Sequence, residues 1–336
     1  MATIKDVARE AGVSTATVSR VINKSPKAGK ASTIAVQTAM KKLGYRPNIN
    51  ARALVSKSSN TIGVLVSDIA DPFFSAMIKA ADQVARDNNK HLLIGSGYHN
   101  AESERDAIEL LINSCREHLI VHSKALSSEE LIAFAKEVPG FVLINRFIPE
   151  IANRCIAFDN FKGAYIATEF LIKNGHKHIA YINSNHNIDD ASERKAGYLK
   201  ALEDHQLSYP PDYIVEQESN DEGGKMGMIE LLSKSIPITA VLTYNDFMAA
   251  GVLTALEENN IAVPEKISLV GFDNGLISRY VHPKLTTINY PIEIMAKQAT
   301  QLSFKLAKQE EQLAKHNIFS PTLVKRASVS RHQDKK

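Results

Sequence analysis

Apolar and polar residues follow two different periods along this chain of 336 residues, and the change occurs near residue 60. From Thr61 onward, short apolar or β-branched runs are separated by amphipathic segments such as 73–88 and 246–258. The runs are TIGVLVS, HLLIGSG, HLIVHS, GFVLIN, CIAF, HIAYIN, ITAVLTY and ISLVGF. Strands separated by helices are typical of parallel sheets covered on both faces, so this part of the chain is predicted to be an α/β body.

Before residue 60 the period is helical. Thr3 and Asp6 have the spacing of a capping box, so a helix is predicted to begin after Thr3. Gly12 can adopt the positive φ that ends this helix, and Ser14 can cap a second helix after a turn of about three residues. Two helices joined by so short a turn indicate a helix-turn-helix.

The second helix is predicted to have two distinct faces. Val18, Val21 and Ile22 recur at i, i+3 and i+4 and should be buried against a third helix over residues 32–43. That helix is expected to contribute Ile34, Ala35, Thr38, Ala39 and Leu43. The opposite face of the second helix carries small or hydrogen-bonding residues. These are Ala16, Ser19, Arg20 and Asn23. Small residues allow the backbone to approach base edges, and Arg and Asn can pair with guanine and adenine, so this face is predicted to read a DNA major groove.

Charge supports the same interpretation. Residues 1–59 hold eleven lysines and arginines against two acidic residues, a net charge of +9, whereas the remainder carries −6. A small basic module fits a polyanionic partner, and an acidic body does not. A solubilising basic arm would share the charge but would lack the apolar periodicity.

Other classes of protein are disfavoured by what the chain lacks. No stretch approaches the roughly 18 uninterrupted apolar residues of a membrane span, and charged residues stand where a signal peptide has its apolar run. We therefore expect a cytoplasmic protein that does not bind membranes. Cys115 and Cys155 lack C-x-x-C spacing and nearby paired histidines, so no disulfide framework, metal site or cofactor is predicted.

Polar residues follow the ends of several predicted strands, where ligands bind in open α/β sheets. A single Asp or Asn in such a position is more often a helix cap, but their recurrence at successive strand ends favours a pocket. Carboxylates, amides and an aromatic face are what recognition of a small polyhydroxylated ligand requires. The predicted pocket residues are Asp71, Phe73, Asn145, Arg146, Arg194, Asn245 and Asp273.

The runs TIKDVAREAGVSTATVSRVINKSPKA and GYRPNINARAL resemble the head of the lactose-repressor family of transcription regulators, and the resemblance covers essentially the full length. It implies a small all-α helix-turn-helix head and a body of two doubly wound parallel-sheet lobes, like periplasmic sugar-binding proteins. The implied domains are a head at 1–47, a hinge helix and linker at 48–59, a body at 60–330 and a tail at 331–336. The N-lobe would cover about 60–159 and 291–321, and the C-lobe about 160–290 and 322–330.

The resemblance also assigns individual residues. Thr15 and Ala16 would be the main base-reading positions, and further DNA contacts are implied for Thr3, Ser14, Thr17, Ser19, Arg20 and Asn23. The hinge, too short to be a stable helix alone, would order on DNA with Asn48, Ala51 and Leu54 in the minor groove, Leu54 acting as a wedge. In the body the resemblance adds Phe74, Phe158 and Tyr290 to the pocket.

Function and assembly follow as expectations from the same resemblance. The chain should be a transcriptional repressor, not an enzyme, whose operator affinity is lowered by a sugar. The runs IGSGYHN, VLINRFIP and SNHNIDDASERKAGY are most similar to family members that respond to galactose, which implies D-galactose as the effector. The tail lacks apolar heptads, so a homodimer on a palindromic operator is expected.

Two alternatives stay open. The first is a sugar-processing enzyme with a DNA-binding head, but the chain has no G-x-x-x-x-G-K-[ST] or H-E-x-x-H motif, and Gly95-Ser96-Gly97 lacks the G-x-S-x-G spacing. The second is the same class of regulator with another sugar or a purine as effector. The residues alone indicate only a small polyhydroxylated ligand.

Overall fold

The computed structural model describes residues 2–23, 25–45, 60–208, 210–310 and 317–332. The chain divides into two compact units, Met1–Ser59 and Asn60–Lys336. The predicted hinge, with Asn48, Ala51 and Leu54, lies outside the described residues. Among the described helices, none has both the length and the apolar character to cross a membrane.

The first unit contains three helices, α1 (Ile4–Glu10), α2 (Thr15–Ile22) and α3 (Lys30–Lys42). The capping box of α1 is confirmed, because the Asp6 N–H donates to the Thr3 hydroxyl and the Thr3 N–H donates to the Asp6 carboxylate at 2.9 Å. Gly12 has φ +64° in the turn, and the Ser14 hydroxyl accepts from the Thr17 N–H at the start of α2, as predicted. The sequence thus places the helix-turn-helix by local signals.

The three helices enclose a small core. Val7, Val18 and Val36 are fully buried, one from each helix, and Met40 packs against them. The predicted face of α3 was only partly right, since Ala39 is buried and Leu43 packs against the core, whereas Ile34 is 66% exposed. Both the predicted and the observed stripes have helical spacing, so periodicity alone could not choose between them.

The second unit contains two six-stranded sheets with the same strand order. The first sheet uses β1 (Thr61–Val66), β2 (His91–Ser96), β3 (His118–Val121), β4 (Gly140–Ile144), β5 (Cys155–Phe158) and β11 (Asn317–Phe319). Its order is β11-β5-β4-β3-β1-β2, with all neighbours parallel. Its helices are α4 (Pro72–Asp87), α5 (Ala101–Cys115), α6 (Ser128–Glu137) and α11 (Ile292–Ala307), with a 3₁₀ turn at Pro149–Arg154.

The second sheet uses β6 (Ile179–Ser184), β7 (Ile214–Gln217), β8 (Ala240–Thr243), β9 (Ser268–Asp273), β10 (Thr286–Asn289) and β12 (Thr322–Val324). Its order is β12-β10-β9-β8-β6-β7, and only β12 is antiparallel to its neighbour. Its helices are α7 (Asn160–Lys173), α8 (Asp189–Asp204), α9 (Asp221–Ser233) and α10 (Asp246–Glu258), with 3₁₀ turns at Pro211–Tyr213 and Leu276–Arg279. The predicted fold class is therefore confirmed.

The chain passes between the two sheets three times, after β5, after β10 and between β11 and β12. We call the part around the first sheet the N-lobe and the part around the second sheet the C-lobe. Each lobe has its own apolar cluster, and a third cluster includes buried residues of both lobes, such as Ile62 and Phe272. Because parallel strands present their carboxyl ends at one edge, the polar residues of each lobe gather there.

Candidate functional site

A cavity of about 680 Å³ lies in the cleft between the N-lobe and the C-lobe. Residues that follow strands of both sheets line it, as expected for ligand sites in open α/β sheets. Eight of the predicted pocket residues are among them, namely Asp71, Phe73, Phe74, Asn145, Arg194, Asn245, Asp273 and Tyr290. The cleft thus brings together carboxylates, amides and aromatic rings from distant parts of the chain.

The structure places two predicted residues outside the lining. The Arg146 guanidinium donates to the Leu126 carbonyl at 2.7 Å and lies 3.4 Å from the Asp189 carboxylate. Asn145 occupies the cleft position with φ +62°, and the next side chain is directed elsewhere. Phe158 does not line the cavity either, because it stacks on the Tyr290 ring with centroids 4.0 Å apart. It supports the aromatic wall from behind.

The aromatic wall is built around Tyr290. Phe73 meets the Tyr290 ring edge-on at 5.1 Å and the Phe74 ring at 5.2 Å. Both phenylalanines come from the first turn of α4, where Pro72 stands at the first helical position. The wall offers an apolar surface of the kind that packs against the C–H face of a sugar ring.

Arg194 is the buried cation of the C-lobe side. Its guanidinium lies 3.7 Å from the centroid of the Phe272 ring and 4.4 Å from that of Tyr244. Its Nε donates to the Asn160 amide oxygen at 2.9 Å, and Nη1 lies 3.8 Å from the Asp273 carboxylate. The side chain is therefore fixed between two rings and a carboxylate, a geometry that favours rigid contacts to oxygen atoms.

The cavity carboxylates differ in their surroundings. Burial raises the pKa of Asp273 well above its ordinary value, although the Arg194 charge opposes the shift. Burial likewise raises the pKa of Asp246 to about 7, against hydrogen bonds from the Thr287 hydroxyl at 2.6 Å and the Gly275 N–H at 2.7 Å. Burial also raises the pKa of Asp71. A ligand hydroxyl that donates to one of these carboxyl groups would replace a hydrogen bond to water that burial has removed.

Two of the lining residues also cap helices. Asp71 accepts from the Phe73 N–H at 2.8 Å at the start of α4. Asn245 accepts from the Met248 N–H at 2.8 Å at the start of α10, and its amide nitrogen donates to the Ser219 carbonyl at 2.8 Å. The capping role and the cavity position therefore belong to the same side chains, and capping fixes their orientation.

Asn145 is held by groups on three sides. Its amide oxygen accepts from the Tyr290 hydroxyl, and its amide nitrogen donates to the Asp190 carboxylate at 2.9 Å. The same nitrogen lies 3.3 Å from Nε2 of His122. Tyr290 and Asp190 together orient the amide, because one donates to its oxygen and the other accepts from its nitrogen.

Several residues of the site were missed from the sequence. They are His99, His122, Asp190 and Tyr244, which line the cavity, and Lys124, which bonds to Asp190 across the cleft. Asp246, which follows the run ITAVLTY beside Asn245, also lines the cavity. Asp190 belongs to an acidic pair at a helix start, and Lys124 follows a strand, but neither feature predicts a partner that far away in sequence. Among the described residues, no cluster of three or more His, Cys, Asp or Glu could hold a metal ion.

The buried cations beside the cavity are matched by carboxylates. Lys124 lies 2.6 Å from Asp190, and Arg194 lies 3.8 Å from Asp273. Asp71 and Asp246 add further acidic groups to the lining. The other two cations of the described lining, Lys79 and Arg279, are exposed, so a phosphorylated or carboxylated ligand would meet no uncompensated buried cation there. The electrostatics favour a neutral ligand with many hydroxyls.

The head carries the second set of predicted residues. Thr3, Ser14, Thr15, Ala16, Arg20 and Asn23 are exposed, and Thr17 and Ser19 are half-buried. In the described part of the head, Arg20 has no ion-pair partner, whereas Arg9 pairs with Asp6 and Lys42 pairs with Glu10. An exposed cation on the solvent face of α2 is available to a phosphate or a guanine.

Comparisons with known proteins agree with this architecture. The model of the lacI family of bacterial regulatory proteins matches residues 3–48, and that of the periplasmic binding protein-like domain matches residues 168–329. The HTH-type transcriptional regulator GalR of Escherichia coli K12 is 51% identical over 330 residues, which are 98% of this chain and 96% of that protein. GalS of Salmonella typhimurium LT2 is 48% identical over 334 residues, 99% of this chain and 98% of that protein.

A solved structure extends the similarity to the fold. The lac repressor dimer bound to operator and the anti-inducer ONPF is 27% identical to this chain, with a TM-score of 0.83. The match covers 98% of this chain and 99% of that one.

The pH dependence of stability tests the burial of His99. Burial, and then the neighbouring His186 ring 5.1 Å away, lower the pKa of His99 to about 4. The unfolded chain binds this proton near pH 6.5, so the free energy of unfolding should fall as pH decreases from 6.5 towards 4. His99→Gln should reduce that slope by up to about 1.4 kcal/mol per pH unit.

Denaturant unfolding at pH 6.5 and pH 5 measures the difference between variant and wild type. The exposed His91→Gln serves as control and should keep the wild-type slope. An unchanged slope in His99→Gln would show that this ring is not buried as described.

Proposed function

Because the chain belongs to the LacI family of bacterial regulatory proteins, we propose that it is a repressor that D-galactose releases from its operator. The chain is a DNA-binding transcription regulator with a sugar effector, it acts as a dimer on operator DNA, and it is not an enzyme. The observation that carries the proposal is the cavity between the lobes, whose carboxyl and amide oxygens can accept from the hydroxyls of a neutral ligand. Because a bacterial cell keeps its DNA in the cytoplasm, we place this DNA-binding regulator there.

The lining residues suit a hexose. Asp71, Asn145 and Asp273 provide oxygens that accept from hydroxyls, and Arg194 provides donors. Phe73, Phe74 and Tyr290 provide the apolar surface, supported by Phe158. Full-length similarity to GalR and GalS, together with the galactose implied by the sequence resemblance, favours D-galactose over other hexoses and over purines.

The DNA contacts are proposed for the exposed face of α2. Thr15 and Ala16 would read bases, while Ser14, Thr17, Ser19, Arg20 and Asn23 would contact bases or phosphates, and Thr3 a phosphate. The hinge residues Asn48, Ala51 and Leu54 would enter the minor groove. These assignments rest on the exposure of α2 and on the family pattern.

The pocket assignment is tested at Asp273. Asp273→Asn replaces a carboxyl oxygen that can accept from a ligand hydroxyl beside Arg194 with an amide nitrogen that can only donate, so galactose affinity measured by calorimetry should fall about tenfold to a hundredfold. Operator affinity without sugar should stay within about twofold of wild type. The operator duplex for this assay is selected from random DNA with the wild-type protein. Its binding is measured by fluorescence anisotropy.

The exposed Asp212→Asn is the matched control in the same lobe and should change neither affinity. If the galactose concentration that releases wild type from the operator also released Asp273→Asn, the pocket would be misassigned. Calorimetry of the wild-type protein with a panel of hexoses and nucleobases tests the effector. If galactose did not bind, it would not be the effector.

The recognition helix is tested at Arg20. Arg20→Ala should weaken binding to the selected operator by about 1–3 kcal/mol and weaken binding to random duplex less. Lys41→Ala, an exposed cation of α3, is the control and should affect both duplexes alike. Equal losses on both duplexes for Arg20→Ala would mean that Arg20 contacts only phosphates.

The dimer is tested on the N-lobe. β2 is an edge strand, and it exposes Leu93 and Ile94, while the neighbouring α5 exposes Leu110. We place part of the contact between two copies on this apolar surface. Leu110→Asp should shift sedimentation towards the monomer, whereas Ile34→Asp, equally exposed at 66% in the head, should sediment as wild type. A fully dimeric Leu110→Asp would place the contact elsewhere.

A further inference from the structure

Lys124 and Asp190 form an ion pair between the two lobes. Lys124 follows β3 of the N-lobe, and Asp190 stands in the first turn of α8 in the C-lobe. Their charged atoms lie 2.6 Å apart, with side chains 1% and 7% exposed. Because Asp190 lines the cavity, this buried pair joins the lobes directly beside the effector site.

The N-lobe end of the pair is held rigidly. Glu104 of α5 is buried, and its carboxylate accepts from the backbone N–H groups of Lys124, Ala125 and Leu126 at 3.1 to 3.3 Å. It also accepts from the Ser123 hydroxyl at 2.5 Å. The loop that carries Lys124 is therefore anchored to its own lobe, so the ammonium group has a fixed position.

The C-lobe end of the pair gathers further bonds. One Asp190 oxygen accepts from Lys124 and from the Asn160 amide at 3.3 Å, and the other accepts from the Asn145 amide. Burial alone would raise the pKa of Asp190, but the Lys124 and Arg194 charges hold it below its ordinary value. Asp190 is thus a carboxylate that both lobes share.

Lys124 also reaches the backbone of Asn145. Its ammonium donates to the Asn145 carbonyl oxygen while it pairs with Asp190. Asn145 is therefore bound at its carbonyl by Lys124 and at its amide nitrogen by Asp190, with its amide oxygen left to Tyr290. The two residues of the pair fix the one amide that lines the cavity from the end of β4.

We propose that Lys124 is a positioning residue of the effector site, which holds Asn145 and closes the lobes on each other by pairing with Asp190. The inference rests on the proposed function, because it names how that cavity is kept in a sugar-binding arrangement. Loss of one partner leaves an unpaired buried charge. Opening the cleft returns that charge to water, so the variant should shift towards an open arrangement.

This shift separates the two binding activities. Galactose contacts both lobes and favours the closed arrangement, and by linkage the operator favours the arrangement that galactose disfavours. Lys124→Met should therefore bind galactose at least about tenfold more weakly, a change of about 1.4 kcal/mol. Its operator affinity without sugar should be equal to or higher than that of wild type, which a general loss of stability would not produce.

Two matched variants complete the test. The exposed Lys136→Met, in α6 after the same loop, should behave as wild type in both assays. Lys124→Met combined with Asp190→Asn leaves no unpaired charge and should recover much of the galactose affinity lost by either single variant. Losses that multiply in the double variant, or wild-type galactose binding by Lys124→Met, would overturn the proposal.

Amide hydrogen exchange without sugar gives a readout that does not depend on galactose. Lys124→Met should speed exchange in residues 122–127 of the N-lobe and also in residues 188–194 of the C-lobe. Faster exchange confined to 122–127 would show that the pair does not join the lobes and would overturn the proposal. If wild type did not bind galactose, the proposed effector would be wrong. The hydrogen-exchange comparison would still show whether Lys124 joins the lobes.

Discussion

Parallel pairing of strands is the constraint on which the body of this protein depends. Neighbouring parallel strands need a crossover helix, so each lobe places the carboxyl ends of its strands at one edge and covers both faces with helices. The chain repeats one strand order in both sheets, so each lobe has such an edge. Residues from both edges line the cavity in the cleft between the lobes. Side chains more than a hundred residues apart, such as Asn145 and Tyr290, meet there without any local sequence signal.

The cleft then has to accommodate charge away from water. Its buried cations are compensated by carboxylates within the described part of the chain, Lys124 by Asp190 and Arg194 by Asp273. The Lys124–Asp190 pair crosses between the lobes. The same ion pair therefore neutralises charge beside the cavity and holds the two lobes together. A ligand that adds hydroxyls and no charge preserves that balance, which is why a neutral sugar suits the site.

Local signals in the sequence predicted some of this and could not predict the rest. The capping box at Thr3 and the cap at Ser14 are decided within a few residues, so the head was placed correctly. The buried face of α3 was predicted only in part, since Ile34 and Val36 fit equally good helical stripes and only Val36 is buried. Strand ends identified the cavity, but Arg146 follows a residue with positive φ and is directed away from the cavity lining. The Lys124–Asp190 pair depends on how the lobes meet, which no local pattern encodes.

The sugar cleft of the body and the operator-binding head act on each other within one chain. Linkage requires the coupling to be reciprocal, because both ligands act on one equilibrium. The most direct measurement is the galactose affinity of wild type by calorimetry, with and without saturating operator duplex. The operator should weaken galactose binding by the same factor by which galactose weakens operator binding. An identical galactose affinity in the presence and absence of the operator would contradict it.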